Sequence, residues 1–150
     1  MDTVKIRPAT AADQTFIRKL ILQNNLNPMG LNWQRFIVAT GDDEEFLGCG
    51  QIKQHGDTEE LASLVVVKNG QGRGISRVLM DALMQRGKRP LWLMCESNLI
   101  PYYKRFGFEE VKQPERLPYY FRAIFWLSQL TVGMMLLVRG HYVAFMVLTE

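Results

Sequence analysis

The chain contains few residues of the kinds that build metal centres or disulfide frameworks. Among its 150 residues there are two cysteines, Cys49 and Cys95, and two histidines, His55 and His141. The cysteines lie far apart in unrelated apolar contexts, and no spacing typical of metal ligands joins them to the histidines. We therefore expect no metal, and we expect both cysteines to be buried, reduced thiols of a cytoplasmic protein.

Long apolar runs and blocks of like charge are also missing. The most apolar stretch, residues 123–138, is shorter than the roughly 20 residues of a membrane span and includes Ser128 and Gln129. The net charge is +3, with the lysines and arginines scattered along the chain, so a nucleic-acid surface is not indicated. The first residues show no secretory signal. We expect neither a membrane nor a nucleic acid as partner, and a polyanionic small ligand suits the charge better.

What is present is an alternation of strand and helix patterns over a length that suits one domain, residues 1–150. Helical periodicity predicts helices over about residues 11–23, 75–86, 99–106 and 118–130. Thr10 and Asp13 resemble a capping box, and Ser97 or Asn98 is expected to cap the third helix. The predicted strands are "VKIR", "RFIVAT", "FLGCGQI", "ELASLVVV", "LWLMC", "FEEV" and "HYVAFMVL".

These elements predict a mixed α/β domain with six or seven strands and about four helices. The strands "ELASLVVV" and "LWLMC" read as buried, since they are rich in β-branched and apolar residues. A helix connects them, so we expect a right-handed βαβ crossover that leaves the two strands parallel.

The stretch "NGQGRGISR", residues 69–77, lies between a buried strand and an amphipathic helix. A glycine-rich turn into a helix N-terminus aims several backbone N–H groups at one point, where the helix dipole also favours negative charge. Arg73 and Arg77 add positive charge at the rim. No lysine follows Gly74 and no glycine stands at Ile75, so two familiar nucleotide-binding motifs are excluded. A turn that merely permits tight helix packing stays open as an alternative.

The sequence of this turn from Gln71 to Ser76 matches the pattern Q-x-x-G-x-[GA], except that serine occupies the last position. It resembles the acetyl-CoA pyrophosphate loop of the GNAT family of N-acetyltransferases. "IRPATAAD", "LASLVVV" and "SNLIPYYKRFGF" are similar to further segments of the family, in the same order, across about residues 4–111. The resemblance, which is to uncharacterised bacterial members, implies a twisted sheet splayed between its fourth and fifth strands and acetyl-CoA as co-substrate.

The resemblance also implies which residues bind acetyl-CoA. The pantetheine arm is expected along the fourth strand, where main-chain groups near Val65, Val66 and Val67 would bond its amides. Asn98 matches a position that commonly bonds the same arm, although a plain helix N-cap is an equal alternative. The full expected set is Val65, Val66, Val67, Gln71, Gly72, Arg73, Gly74, Ile75, Ser76, Arg77, Asn98 and Tyr103.

Acetyl transfer to an amine needs one group that accepts the amine proton and one that protonates the departing thiolate. The resemblance assigns the acid to Tyr103, with packing against Phe106 and Phe108 as the alternative; the adjacent tyrosine would point about 100° away on a helix. Glu60 stands where related histone acetyltransferases keep a catalytic glutamate, or is simply a solvated strand start. His55 in the preceding turn is a further candidate base by residue type, but a turn histidine is more often idle surface.

The sequence thus predicts a cytoplasmic N-acetyltransferase that transfers acetyl directly from acetyl-CoA to a primary amine of a small molecule or peptide. A non-catalytic acyl-CoA-binding or regulatory module is one alternative, and membrane attachment through residues 119–138 is another. The acceptor is not identified by any motif. The apolar segment 119–138 could line an acceptor pocket or form a homodimer interface, and its composition slightly favours the interface.

Overall fold

The computed structural model describes residues 3–130 and 140–150, which fall into two compact units. The first unit comprises the residues up to Lys53 and Leu61–Lys88, and the second comprises Gln54–Glu60 and Arg89–Glu150. The strands are β1 (Lys5–Pro8), β2 (Phe36–Thr40), β3 (Phe46–His55), β4 (Thr58–Val66), β5 (Leu91–Glu96), β6 (Glu109–Glu110) and β7 (Val143–Leu148). The helices are α1 (Gln14–Gln23), α2 (Ile75–Arg86), α3 (Ile100–Lys104) and α4 (Tyr119–Leu130).

The strands form a mixed, mostly antiparallel sheet, as predicted. In the first unit β1, β2, β3 and β4 are neighbours in that order, and in the second β7 lies between β5 and β6. The start of β4 belongs to the second unit and pairs in parallel with β5, through Glu59 with Leu91 and Glu60 with Trp92. Over the residues that the structure describes, these two pairs are the whole β4–β5 ladder, which confirms the splay expected between the fourth and fifth strands.

The core of the first unit forms where helices cover the sheet. The buried face of α1 consists of Ile17, Leu20 and Ile21, which recur at the helical spacing that predicted this helix. All five residues of β2 are buried, so this strand is covered on both faces. Helix α2 ends at Gly87, the residue expected to end it.

The second unit packs aromatic and branched side chains between α4 and its strands. The buried cluster consists of Trp92, Val111, Leu117, Phe121, Phe145 and Val147. The opposite side of α4 leaves large apolar side chains exposed, among them Tyr119, Trp126 and Leu130. Of the segment 119–138 to which the sequence assigned a pocket or an interface, residues 131–139 lie outside the described residues.

Two local predictions about helix starts had different outcomes. The capping box is confirmed, since the Asp13 carboxylate accepts hydrogen bonds from the backbone N–H and the hydroxyl of Thr10, at 2.7 and 3.2 Å. The predicted cap of the third helix is wrong, because Leu99 occupies the N-cap position of α3 and no side chain caps it. Ser97 instead exchanges two hydrogen bonds with the backbone of Tyr142 and so fixes the start of β7.

Candidate functional site

The glycine loop of the first unit has the backbone shape of an anion-binding turn. Gly72 and Gly74 have φ angles of +79° and +77°, in the left-handed region that residues with a Cβ rarely adopt. A Cβ built on either glycine would meet no atom within 4 Å, so tight packing does not account for these glycines. Packing does account for Gly70, where a Cβ would lie 3.1–3.2 Å from three side-chain atoms.

The loop residues present mainly backbone and positive charge to solvent. Residues 71–74 and Arg77 are exposed, whereas Ile75 is buried and anchors the first turn of α2. Gly74 is the N-cap residue, and its carbonyl accepts the first helical hydrogen bond, from Val78 at 3.2 Å. The N–H groups at the start of α2 have no acceptor within the helix, as at every helix N-terminus. The turn can therefore bind a phosphate through backbone donors, with arginines beside it.

The end of β4 offers fewer free main-chain groups than the sequence suggested. Val67 donates its N–H to Leu47 at 2.8 Å, and its carbonyl accepts from Gly70 at 2.9 Å. Successive residues of a strand direct their N–H and C=O groups to opposite edges, so Val66 directs its own away from β3. Val66 is thus the best placed of the three valines to bond a ligand by main-chain groups.

Ser63 interrupts β4 in a way that the sequence did not signal. Its φ of +59° lies in the left-handed region, although serine has no special tolerance for it. The conformation is held from β3, since the buried Gln51 donates its side-chain amide to the Ser63 hydroxyl at 2.8 Å and to the Gly30 carbonyl at 3.2 Å. A glycine at this position would have indicated a left-handed residue within the strand, but a serine is compatible with a regular strand.

Tyr103 lies on α3 in the second unit, half-buried among aromatic rings. Its ring meets the edges of Tyr102 and Phe108, with centroids 5.1 and 6.3 Å apart. Burial, followed by the nearby Cys95, raises the pKa of Tyr103, so the phenol stays protonated at neutral pH. Among the described residues its hydroxyl has no hydrogen-bond partner, which leaves it able to donate a proton to a ligand atom.

The neighbouring expected positions differ in their surroundings. Tyr102 meets Phe106 at 5.3 Å and lies beneath the guanidinium of Arg105, at 5.4 Å. The two adjacent tyrosines therefore face different neighbours, as their angular separation on a helix predicts. Asn98 is exposed in the short turn Ser97–Leu99 that precedes α3, and it does not cap that helix.

Glu60 is buried, so the alternative of a solvated residue at a strand start is wrong. Its side chain is only 4% exposed, and Oε1 lies 3.2 Å from Nε2 of His55, whose side chain is 17% exposed. The His55 ring stacks on Tyr120 of α4 with centroids 3.5 Å apart and an interplanar angle of 10°. Phe121 meets the same imidazole edge-on at 6.2 Å. These four residues, all in the second unit, are called the hairpin cluster below.

The sequence analysis considered His55 and set it aside, and it did not connect His55 with Tyr120. The prediction of an idle turn histidine is wrong, because the imidazole is held by a carboxylate and by two aromatic rings. A signal was present in the hairpin itself. Strands β3 and β4 are joined by two residues, Gly56 and Asp57, and such a turn puts His55 and Glu60 on one face of the sheet.

A cavity of about 450 Å³ lies beside α1 in the first unit. Phe16, Leu20, Phe46 and Val67 supply its apolar wall, and charged side chains including Lys19, Glu44 and Glu45 stand among its lining residues. Phe16 and Phe46 stack with centroids 5.7 Å apart. Since Val67 follows the last residue of β4, this cavity lies next to the end of that strand.

The described part of the chain contains neither a metal-binding cluster nor a membrane-spanning helix. No three histidine, cysteine, aspartate or glutamate side chains come together there as metal binding would need. Within residues 3–130 and 140–150 no helix combines the length and the apolar character that crossing a membrane requires.

Comparison with protein families gives one match. The model described as the acetyltransferase (GNAT) domain matches residues 32–110, just over half of the chain. The matched region includes β4, the glycine loop, α2, β5 and α3. No curated protein sequence matches this chain.

Solved structures of the same fold cover nearly the whole chain. N-acetylglutamate synthase from Neisseria gonorrhoeae, crystallised with coenzyme A and N-acetyl-glutamate, aligns with a TM-score of 0.75 at 18% identity over 99% of this chain. This chain spans only 36% of that protein. Rv2747 from Mycobacterium tuberculosis, crystallised with CoA, aligns with a TM-score of 0.70 at 17% identity over 96% of this chain and 99% of its own length.

Proposed function

The chain belongs to the GNAT acetyltransferase family, and we propose that it is an N-acetyltransferase that transfers acetyl from acetyl-CoA directly to a primary amine. The observation that carries this proposal is the glycine loop. Gly72 and Gly74 are left-handed with open space at their Cβ positions, so the turn leaves room for a ligand to approach the backbone at the start of α2. Two neighbours with this fold were crystallised with CoA, which supports the same ligand class here.

The loop fits the pyrophosphate of acetyl-CoA. Its backbone donors lie at the positive end of the α2 dipole, and Arg73 and Arg77 add cationic side chains. Gln71, Ile75 and Ser76 complete the turn, and the departure to serine leaves the left-handed geometry of Gly74 intact. Val66 offers its main-chain groups to the pantetheine arm, whereas those of Val67 are already bonded.

The reaction requires two proton transfers, and the second unit contains a group suited to each. Acetyl-CoA supplies an acetyl thioester. Tyr103 protonates the departing sulfur, since its phenol is kept protonated by burial and its hydroxyl has no partner among the described residues. The hairpin cluster that contains Glu60 accepts the proton of the amine, because a buried carboxylate beside an imidazole is a proton-accepting pair.

Two structures of one neighbour guide the choice of acceptors. The N-acetylglutamate synthase was crystallised once with N-acetyl-glutamate and once with L-arginine. We therefore begin an acceptor panel with free amino acids, followed by small aliphatic and aromatic amines and by peptides with a free N-terminus. We place the protein in the cytoplasm, acting without a metal, and we propose a homodimer through segment 119–138, which the molar mass in solution will test.

The first experiment is a calorimetric titration of acetyl-CoA and CoA into the purified protein, with ATP as the comparison ligand. We expect Kd values in the micromolar range for both CoA species and much weaker binding of ATP. Binding followed by acetylation of a panel amine, detected by mass, supports the enzyme. Binding without acetylation of any amine supports the non-catalytic acyl-CoA module, and no binding of CoA contradicts the proposal.

A further inference from the structure

We propose that His55 is the residue that takes the proton from the acceptor amine and that Glu60 is its positioning residue. This inference rests on the proposed acetyl transfer and assigns the proton acceptor within it. It differs from the expectation drawn from the sequence, in which Glu60 itself was the base. The geometry of the hairpin cluster carries it.

Accessibility favours the imidazole over the carboxylate. The side chain of Glu60 is 4% exposed and that of His55 is 17% exposed, so within this pair the histidine is the group that a ligand can reach. Oε1 of Glu60 lies 3.2 Å from Nε2 of the ring. A base must come within hydrogen-bond distance of the proton that it abstracts, which the imidazole can do and the buried carboxylate cannot do without moving.

The hydrogen bond between the two residues fixes the state of the imidazole. A neutral histidine carries its proton on one nitrogen, and a carboxylate acceptor beside Nε2 selects the tautomer protonated there. That tautomer leaves a lone pair on Nδ1, which has no hydrogen-bond partner among the described residues. The pair therefore presents a proton acceptor at Nδ1 and a negative charge behind it.

The ring is held between a carboxylate and aromatic side chains. Glu60 faces the ring from β4, and Tyr120 covers its face from α4. Burial and the charge of Glu60 raise the pKa of Tyr120, so this tyrosine stays neutral beside the carboxylate. The Tyr120 ring stacks on the imidazole with centroids 3.5 Å apart, and Phe121 meets the imidazole edge-on at 6.2 Å, so the orientation of the ring is held by two aromatic side chains as well as by Glu60.

The step balances with groups already named. The amine nitrogen attacks the acetyl carbon, so that a C–N bond forms and the C–S bond of the thioester breaks. The proton lost by the nitrogen goes to Nδ1 of His55, and the thiolate leaves with a proton from Tyr103. Solvent exchange then returns both residues to their starting states.

The test compares three variants with the best amine found for the wild type. H55Q is expected to lower kcat about 100-fold or more and to remove the acid limb of the kcat–pH profile, with the Kd of acetyl-CoA unchanged. E60Q keeps the shape of the side chain but removes the charge that selects the tautomer of the ring. Its kcat is expected to fall about 10-fold or more while its acid limb persists. H141Q, which alters the other histidine, is the matched control and keeps the wild-type profile.

A chemical measurement keeps the proposal testable if H55Q folds poorly. In the H141Q protein His55 is the one histidine left in the sequence. Carbethoxylation with diethylpyrocarbonate is expected to abolish acetylation in step with modification of one histidine, and hydroxylamine is expected to restore it. A fully modified and active protein, or a native protein whose His55 resists the reagent, overturns the proposal, because a proton acceptor must be reachable.

The outcomes separate this inference from the proposed function. If the wild type acetylates an amine and H55Q keeps the wild-type kcat and acid limb, the role of His55 is overturned. The proposal that the protein is an acetyltransferase is then unaffected. An acid limb that survives in H55Q but disappears in E60Q identifies Glu60 as the direct base. A wild type that binds CoA and acetylates nothing overturns both proposals.

Discussion

Gly48 of β3 lies against the carbonyl of Val65 in β4, so closely that a Cβ built on the glycine would come 2.7 Å from the Val65 oxygen. Backbone atoms on both sides of this contact have little room to move. We expect G48A to lower the free energy of unfolding by about 2–3 kcal/mol. It should also weaken CoA binding, because the displaced strand is the one that leads into the glycine loop.

Gly50 provides the comparison for Gly48 on the same strand. A Cβ on Gly50 would come 2.6 Å from a terminal methyl of Leu83, which is the end of a side chain and can rotate away. G50A is therefore expected to cost about 1 kcal/mol and to leave CoA affinity unchanged. Urea unfolding of the two variants checks the difference, and equal losses would contradict the distinction between backbone and side-chain contacts.

Arg7 and Asp13 tie β1 to the start of α1. The guanidinium donates to both carboxylate oxygens, at 2.8 and 3.1 Å, and this hydrogen bonding holds the pKa of Asp13 below its usual range. A lowered folded-state pKa contributes stability above the pKa of the unfolded acid, about 3.9, and that contribution is lost as the pH falls through the lower folded value. D13N should therefore lower the free energy of unfolding at pH 7 by about 1–3 kcal/mol.

The pH dependence identifies this ion pair as the source of the loss. The difference in the free energy of unfolding between the wild type and D13N should become smaller as the pH falls from about 5 toward 2, since the wild-type carboxylate becomes protonated there. The exposed Asp42 supplies a control, and D42N should change the stability by less than about 0.5 kcal/mol. If this difference in unfolding free energy did not change with pH, D13N would act through packing instead.

Much of the fold could be predicted from sequence because its signals are local. Ile17, Leu20 and Ile21 show the 3.6-residue period of a helix with one buried face. The apolar run before the glycine loop correctly predicted a strand, although it is not buried on both faces, since Leu64 and Val66 are only half-buried. The loop could be predicted because Gly72 and Gly74 adopt conformations that glycine tolerates best.

The features that escaped prediction depend on contacts between distant residues. Tyr120 stacks on His55 although 64 residues separate them in the chain, and no local pattern encodes such a contact. Ser97 bonds the backbone of Tyr142 rather than capping α3, because an antiparallel partner strand competes successfully for its hydroxyl. Ser63 is held left-handed by Gln51 from the neighbouring strand, so its own residue type gave no warning.

Gly74 and Gly56 allow the ligand-binding part of the loop to be separated from backbone strain. Both have positive φ, +77° and +62°, and both have open space at the Cβ position. Alanine at either site should cost about 1–2 kcal/mol of stability. Only G74A is expected to weaken CoA binding, by about 10-fold to 100-fold, since each lost hydrogen bond to a phosphate is worth about 1.5–3 kcal/mol. Calorimetric titration of CoA into both variants tests this prediction. Equal CoA affinities would contradict the role of the glycine loop in CoA binding.

Tyr103→Phe tests the proton donor without altering the packing of α3. The ring keeps its edge contacts with Tyr102 and Phe108, so the Kd of acetyl-CoA should stay within about twofold of the wild type. Removing the hydroxyl removes the proton for the departing sulfur, and kcat should fall about 100-fold. Because burial raises the pKa of Tyr103 above the ordinary value of about 10, the donor stays protonated across neutral and mildly alkaline pH.

Tyr102→Phe is the matched control on the adjacent residue, whose ring faces Phe106 and Arg105 instead. It removes the same hydroxyl group one position away and should retain the wild-type kcat. Steady-state kinetics of both variants with one amine, together with calorimetry of acetyl-CoA, measure the two quantities separately. A wild-type kcat in Tyr103→Phe would rule out this phenol as the acid, whereas equal losses in both variants would indicate that the aromatic packing of α3, and not proton donation, sustains turnover.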